Sequence, residues 1–455
     1  MANDMIRVKQ LFKLVTIMSL SALSSESLSS GNDRLITLID NSVNSKEEYY
    51  KNIYKDLHQN PELGFMEFRT AGIISDELSK LGYSVTDKIA KTGVAAVLKN
   101  GDGPVFMFRA DMDANSVKEA TNLPYASKKV VRNLEGIETP VAHQCGHDAH
   151  STWLLGLANT MVELKDEWQG TLVLIAQPAE EPVAGAKAMI DDGLYSTHQI
   201  PKPDYFLALH SAPISIGSVM TNTSRLTTGT EHVDITFHGK GGHGSSPHKT
   251  RDPVVMAGMA IVQLQSVVSR QISPEEVGVL TIGSVSAGID NNVIPSESHL
   301  RLKLHFSDQS THDQLINGIK NTSNAVAASY GVAETKMPTL RRKGYASPII
   351  NDQQFTTGVV SQLRDLDDIT VVHDKIRVPG SDDAFMLIDD LESTRGVYLF
   401  IGTVDPDIVE QAKADGQQYP FMPHAPDYQV SLDAIPLGAK LASKIAIRTM
   451  NKKLH

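Results

Sequence analysis

The chain carries one cysteine, Cys145, in 455 residues. An intramolecular disulfide is therefore excluded, and having no disulfide-capable pair fits an oxidising or a reducing compartment equally. No apolar stretch approaches the length needed to cross a bilayer. No run of Lys and Arg is long enough to track a phosphate backbone, and the formal net charge is −11, so nucleic acid is a poor partner. A Gly-x-Ser-x-Gly elbow for a serine nucleophile is missing. There is no internal repeat, and low complexity is confined to the serines at 24–30.

What remains is an ordinary composition, 41% hydrophobic and 21% charged, in a chain too long for one small core. Two domains are expected. The first 33 residues stand apart. Arg7, Lys9 and Lys13 precede a mostly apolar Leu14 to Leu23, and small residues follow. This is the layout of a secretory signal peptide, although no clean cleavage site stands out. It places the protein in the periplasm or outside the cell, with the cytoplasm as the alternative.

The lone cysteine lies in the run His143-Gln144-Cys145-Gly146-His147-Asp148-Ala149-His150. A thiolate, neutral imidazoles and a carboxylate are the side chains that bind zinc-like metals. The bland alternative is a buried thiol beside a helix start, with the histidines as surface or capping groups.

Helices are expected over Ser45 to His58, with Ser45 and Glu48 as a capping box, and over Phe65 to Leu81. Strands are expected at Val94 to Leu98, Val105 to Phe108 and Thr171 to Ala176, and at Tyr205 to Leu209, ending on His210. A helix is expected from Asp148. This alternation predicts an α/β catalytic domain with a largely parallel sheet, its first part over 34–221. From 222 to 340 the order changes to strand–helix–strand–strand–helix–strand, which predicts an inserted ferredoxin-like α+β unit serving as lid and dimer surface. The catalytic domain then resumes over 341–455 and closes with a helix from about Ser431 to Arg448.

Ligands in open α/β sheets gather at the carboxyl ends of strands. Glu180 and Glu181 follow one such strand and His210 ends another. Adjacent carboxylates on a loop can divide their work, one binding a metal while the other takes a proton from water. Most Glu-Glu pairs, though, are merely solvated. His424, between Pro423 and Pro426, sits in a stiff loop that suits a ligand or a simple turn. Asp111, after the strand at Val105, can support a ligand histidine or cap the next segment. The run Gly239 to Gly244 lacks the Walker spacing and reads as a turn projecting His243. Asn292 lies in a polar turn and can bind a substrate carboxylate or form an Asx-turn. A rival reading makes Cys145 a nucleophile with a nearby histidine as base, which would leave Glu181, His210 and His424 unused.

Together these segments resemble the amidohydrolase branch of the aminoacylase/carboxypeptidase-type dinuclear metallopeptidases, which includes hippurate hydrolases and auxin–amino acid conjugate hydrolases. The resemblance rests on His58-Gln59-Asn60-Pro61-Glu62-Leu63-Gly64-Phe65, Arg109-Ala110-Asp111-Met112-Asp113, Leu123-Pro124-Tyr125-Ala126-Ser127, the cysteine run, Gln177-Pro178-Ala179-Glu180-Glu181, Gly241-Gly242-His243-Gly244 and Asn292-Val293-Ile294-Pro295. It implies two divalent metal ions per subunit, manganese or zinc first and cobalt or nickel next, held by Cys145, His147, Glu181, His210 and His424. Cys145 would bridge the two metals, with His147 and His210 on one side and Glu181 and His424 on the other. It further implies Glu180 as general base, His243 as the group polarising the scissile carbonyl, Asn292 on the substrate carboxylate and Asp111 behind the ligands. The implied substrate is a small N-acyl or N-aroyl amino acid, cleaved at its amide by metal-activated water in a homodimer formed through the insert. A dipeptidase or carboxypeptidase with the same site is the alternative, and a silent binding protein of the same fold is another.

Three departures from the family pattern stand out. Asn115-Ser116 replaces a usual Leu-Pro, the connection Val131 to Val141 is long, and Ser381-Asp382-Asp383-Ala384 replaces Ser-Glu-Asp-Phe. The last shortens a carboxylate and removes an aromatic ring near the pocket.

Overall fold

A computed structural model describes residues 33–366, 368–373, 378 and 380–451. The leader expected over 1–33 lies outside these apart from Asp33. Two sheets organise the described chain. The larger has eight strands, and its centre is four parallel strands in the order Gly170–Gln177, Val105–Asp111, Tyr205–Ser215, Arg395–Val404. The strand Gly93–Asn100 joins antiparallel on one side and Ser218–Thr221 on the other. Strands buried on both faces read as continuous apolar runs, and Gly170–Gln177 is buried at all but one position.

The helices expected from periodicity are present. Two begin later than expected, at Glu47 and Phe68. The Ser45–Glu48 capping box does not form, because the Ser45 hydroxyl donates to the Ser42 carbonyl and Lys46 takes the cap position without a side-chain bond. The helix His147–Glu163 lies between the sheet and the C-terminal helix Ala434–Thr449, with its first fifteen residues buried. The Trp153 indole N–H donates to the Ala434 carbonyl at 3.0 Å, fixing the contact between these two helices. Each fully buried large apolar side chain there contributes about 1.5–3 kcal/mol.

His210 does not end its strand as expected. The strand runs on to Ser215 because Arg395–Val404 keeps pairing with it through His210, Ser211 and Ala212, and a register shift accommodates the stretch after Pro213. The long connection after Val130 is a small hairpin of Val130–Arg132 against Glu138–Pro140.

The second sheet has four antiparallel strands in the order Gly278–Ala287, Glu297–Phe306, Gly229–His238, Thr339–Ala346. The helices Pro253–Gln271 and Gln309–Ser329 pack on each other and close its apolar core. This is the split strand–helix–strand arrangement read from the sequence. Its fourth strand begins at Thr339, not near Val332, and crosses residue 340. Asp252 caps the first of these helices by accepting from the Val254 and Val255 N–H groups.

Candidate metal and catalytic site

Cys145 and His147 are presented by a sharp entry into the helix His147–Glu163. Gly146 between them adopts φ 80°, and a Cβ there would lie 2.5 Å from the Ser211 hydroxyl oxygen. Only glycine meets both demands. Opposite, the turn after Gly170–Gln177 carries Glu180 and Glu181. The Asp113 carboxylate brackets this turn, accepting from the Glu180 N–H at 3.1 Å and the Glu181 N–H at 3.0 Å. Glu67 accepts from the Ala179 N–H at 2.8 Å. Ala179 and Val183 are left-handed at φ 49° and 55°, a conformation costing of order 1–3 kcal/mol per residue; those bonds hold the first, and the Val183 N–H donates to the Glu180 carbonyl at 2.6 Å.

The remaining imidazoles come from two further elements. His210 Nε2 lies 3.6 Å from Cys145 Sγ, and His424 Nε2 lies 3.3 Å from the same sulfur. His424 is itself left-handed at φ 67°, and its loop is clamped through Gln144, which donates to the Ala425 and Pro426 carbonyls. His424 Nε2 is 3.5 Å from Glu181 Oε1, and His147 Nε2 is 3.9 Å from a carboxylate oxygen of both Glu180 and Glu181. Cys145, His147, Glu180, Glu181, His210 and His424 are therefore brought into one cluster. Its donor atoms fall into overlapping sets, with Cys145, Glu181 and His424 in one and His147 and His210 in another.

Hydrogen bonding decides which ring nitrogens are free. His210 Nδ1–H donates to the Ser211 carbonyl at 2.7 Å, so Nε2 faces Cys145 with a lone pair. Burial and the neighbouring His150 hold its pKa down at about 3, leaving it neutral. His150 is different. The Ser211 N–H donates to its Nε2 at 2.8 Å and its Nδ1–H donates to Asp111 at 2.5 Å, so both nitrogens are used and it supports the cluster. His147 Nδ1 lies 3.3 Å from Asp113 without hydrogen-bond alignment. Both His147 nitrogens and Glu181 Oε1 are buried with no hydrogen-bond partner among the described residues. Unpaired buried donors and acceptors are costly, and a thiol, three imidazoles and a carboxylate facing inward are a donor set that fits divalent cations.

Beneath the cluster, the buried Arg109 donates to Asp111 at 2.7 Å, to Gln177 at 2.9 Å and to Asp382 and Asp383 at 3.1 and 3.4 Å. Burial works against its charge, and Asp382, Asp111 and Asp383 restore it. Asp382 also accepts from the Tyr398 hydroxyl at 2.7 Å. Burial, Asp382 and Glu181 push the Glu180 carboxyl well above the usual range. Burial pushes Glu181 up as well, against the pull of His424 and His147. Arg109, Asp113, Asp382 and Asp383 were not singled out as site residues from the sequence, although their signal was available in Arg-Ala-Asp-Met-Asp and Ser-Asp-Asp.

His243 and Asn292 are not brought to this cluster. They lie exposed on the insert, where Gly242–His243 pairs with Val293–Ile294 and the Gly244 N–H donates to the Asn292 carbonyl at 2.8 Å. The Ser245 N–H donates to His243 Nδ1 at 3.1 Å, so the neutral ring keeps its proton on Nε2.

A scaffold of this kind, with an interrupted α/β sheet around a cluster of metal-type donors, defines a metallohydrolase class. Residues 107–448 match the model of Peptidase family M20/M25/M40, and the chain belongs to that family. It is 39% identical over 264 residues to hippurate hydrolase of Campylobacter jejuni, covering 58% of this chain and 65% of that protein, just under two thirds of its length. It is 32% identical over 379 residues to N-acetyl-L-cysteine deacetylase of Bacillus subtilis, covering 82% of this chain and 85% of that one. Among solved structures it is similar to a dinuclear metal-binding peptidase of the M20 family from Bacillus subtilis, with a TM-score of 0.67, 25% identity and coverage of 90% and 99%.

Proposed function

We propose that the protein is a metal-dependent amidohydrolase that cleaves N-acyl or N-aroyl amino acids to a carboxylic acid and an amino acid. The observation that carries this reading is Glu180, a buried carboxyl of raised pKa beside a donor set with unpartnered ring nitrogens. The names of the relatives support the substrate class. Cys145, His147, Glu181, His210 and His424 would hold two divalent ions, manganese or zinc ahead of cobalt or nickel. Such ions supply Lewis acidity, lowering the pKa of water and polarising a carbonyl oxygen.

The protein's own groups do the rest. Glu180 takes a proton from the attacking water on its carboxylate and delivers it to the amide nitrogen as the C–N bond breaks. Burial and the flanking Asp382 and Glu181 raise its carboxyl above the usual range, which favours its keeping the proton between the two transfers. The Asp113 bracket fixes the backbone from which Glu180 projects. His243 presents Nε2–H to the carbonyl oxygen of a substrate held by a second copy of the chain, and Asn292 beside it steadies the substrate carboxylate. The dimer this requires is supported by an uncovered apolar stripe, Val255, Met259 and Val262, on the helix Pro253–Gln271, and by the unpaired edge of the strand Gly278–Ala287. The two sheets support a catalytic region of 34–221 and 341–455 interrupted by the insert, and the basic–apolar–small leader supports export.

The test is a panel of N-acyl amino acids and dipeptides with metal analysis on the same preparation. Hippurate-type substrates are expected to be hydrolysed, with activity lost to a chelator and restored by added manganese or zinc. Dipeptide hydrolysis alone assigns a dipeptidase instead, and chelator-resistant, iodoacetamide-sensitive activity makes Cys145 a nucleophile.

A further inference from the structure

One face of the insert's sheet is covered by its two helices and the other is left open. Along Glu297–Phe306 the even-numbered positions are buried, and the odd-numbered ones lie on the open face. Glu297, His299 and Arg301 are exposed there, whereas Lys303 and His305 are half-buried. Lys303 pairs across the ladder with His232, and His305 with Thr230. These positions are covered because this end of the sheet abuts the catalytic turn. Gly344 sits at a register shift in the neighbouring strand with φ 58°. A Cβ on it would lie 2.5 Å from the carbonyl oxygen of Pro182, the residue after Glu181, and 2.8 Å from His232 Nδ1. His305 Nδ1 is 3.1 Å from the Thr228 hydroxyl, which donates to the Gly380 carbonyl next to the Ser381-Asp382-Asp383 segment.

Among the described residues the Lys303 ammonium has no hydrogen bond or ion pair of its own. Burial works against its charge, while Glu180 and Glu181 favour it. Burial and Lys303 hold His305 at a pKa of about 4. Burial, Lys303 and Lys343 do the same for His232, so both rings are uncharged at neutral pH. The result is a cation unpaired among the described residues, beside two neutral imidazoles and within electrostatic reach of Glu180 and Glu181.

We propose that Lys303, flanked by His232 and His305, is the anion subsite of this cleft and receives the carboxylate of the amino-acid half of the substrate. The proposal rests on the amidohydrolase reading and deepens it, since it assigns the charge partner to the same chain that supplies Glu180. A half-buried ammonium without a partner gains a charge-assisted hydrogen bond from a carboxylate and nothing comparable from a neutral amide.

The test compares hippurate with its neutral analogue hippuramide on the manganese-loaded protein, for wild type, Lys303→Met and Lys303→Arg. Hippurate is expected to be preferred by wild type about 10- to 100-fold, the range of a charged hydrogen bond. In Lys303→Met that ratio should fall towards one through a higher KM for hippurate, with bound metal undiminished, and Lys303→Arg should keep most of it. An unchanged ratio in Lys303→Met overturns the subsite while leaving the hydrolase intact. If wild type hydrolyses neither compound, the functional reading fails. Calorimetric binding of hippurate then decides the subsite: binding lost in Lys303→Met supports it, and equal or absent binding in both proteins overturns it.

Discussion

Glu180 and His243 are both proposed to act on the same amide, yet they sit in opposite settings. Glu180 projects from a turn whose backbone is bracketed by Asp113 and Glu67, above a floor in which Arg109 ties Asp111, Gln177, Asp382 and Asp383 together. His243 stands exposed on a two-residue ladder, held by Ser245 and its own neighbours. The first setting is complete within one chain. The second leaves Nε2 of the ring without a partner among the described residues, which suits the proposed action on another copy. Pre-organisation is thus concentrated where charge must be controlled, and the donor proposed for the tip would arrive only by assembly.

The largest effect should come from the floor. Arg109→Met leaves Asp111, Asp382 and Asp383 buried without their cation, and breaking a buried ion pair costs about 3–5 kcal/mol. Denaturant unfolding should show a loss of that size, and a loss below about 1 kcal/mol would mean the floor is not pre-organised by Arg109. At the tip, His243→Ala should leave unfolding unchanged and lower kcat roughly 10²-fold, the size of a lost oxyanion donor. Full kcat in that variant would place the tip outside the reaction.

His58 offers a test by pH. It lies between Asp148 at 2.6 Å and Glu119 at 3.1 Å, and although burial opposes its charge these carboxylates raise its pKa to about 9. A pKa raised above the ordinary 6.5 stabilises the fold fully below about pH 6.5, and this is lost as pH rises through 9. Wild type should lose up to roughly 3 kcal/mol more than His58→Asn between pH 6.5 and 9.5, measured by denaturant midpoints. Parallel curves would show that His58 carries no such linkage. The smallest structural change is Val262→Glu, on a side chain 70% exposed. It should convert a dimer to a monomer on a sizing column and lower kcat with it. A dimer that survives moves the interface elsewhere.

The sequence revealed the cluster more readily than its supports. Cys145, His147, Glu180 and Glu181 are close along the chain or follow an apolar strand, so residue type and position pointed to them. His210 was found for a partly mistaken reason. Apolar content falls after Leu209, but pairing with Arg395–Val404 carries the strand to Ser215. By residue type alone His150 matches His147; the resemblance left it out of the ligand set, and its bonds to Asp111 and the Ser211 N–H agree with a supporting place. Arg109 and Asp382 are 273 residues apart, a contact that neither periodicity nor local propensity encodes. The Ser45–Glu48 box failed because the serine found a nearer acceptor in Ser42. Lys303 gave no signal at all, being one polar residue in an alternating strand until Gly344 brings that face against Pro182.

The central claim is that Glu180 moves the proton while its neighbours hold metal. Glu180→Gln keeps the shape and removes the base, so hippurate hydrolysis by the manganese-loaded protein should fall about 10²- to 10⁴-fold in kcat, with metal content equal to wild type. Wild-type turnover in that variant would contradict the claim.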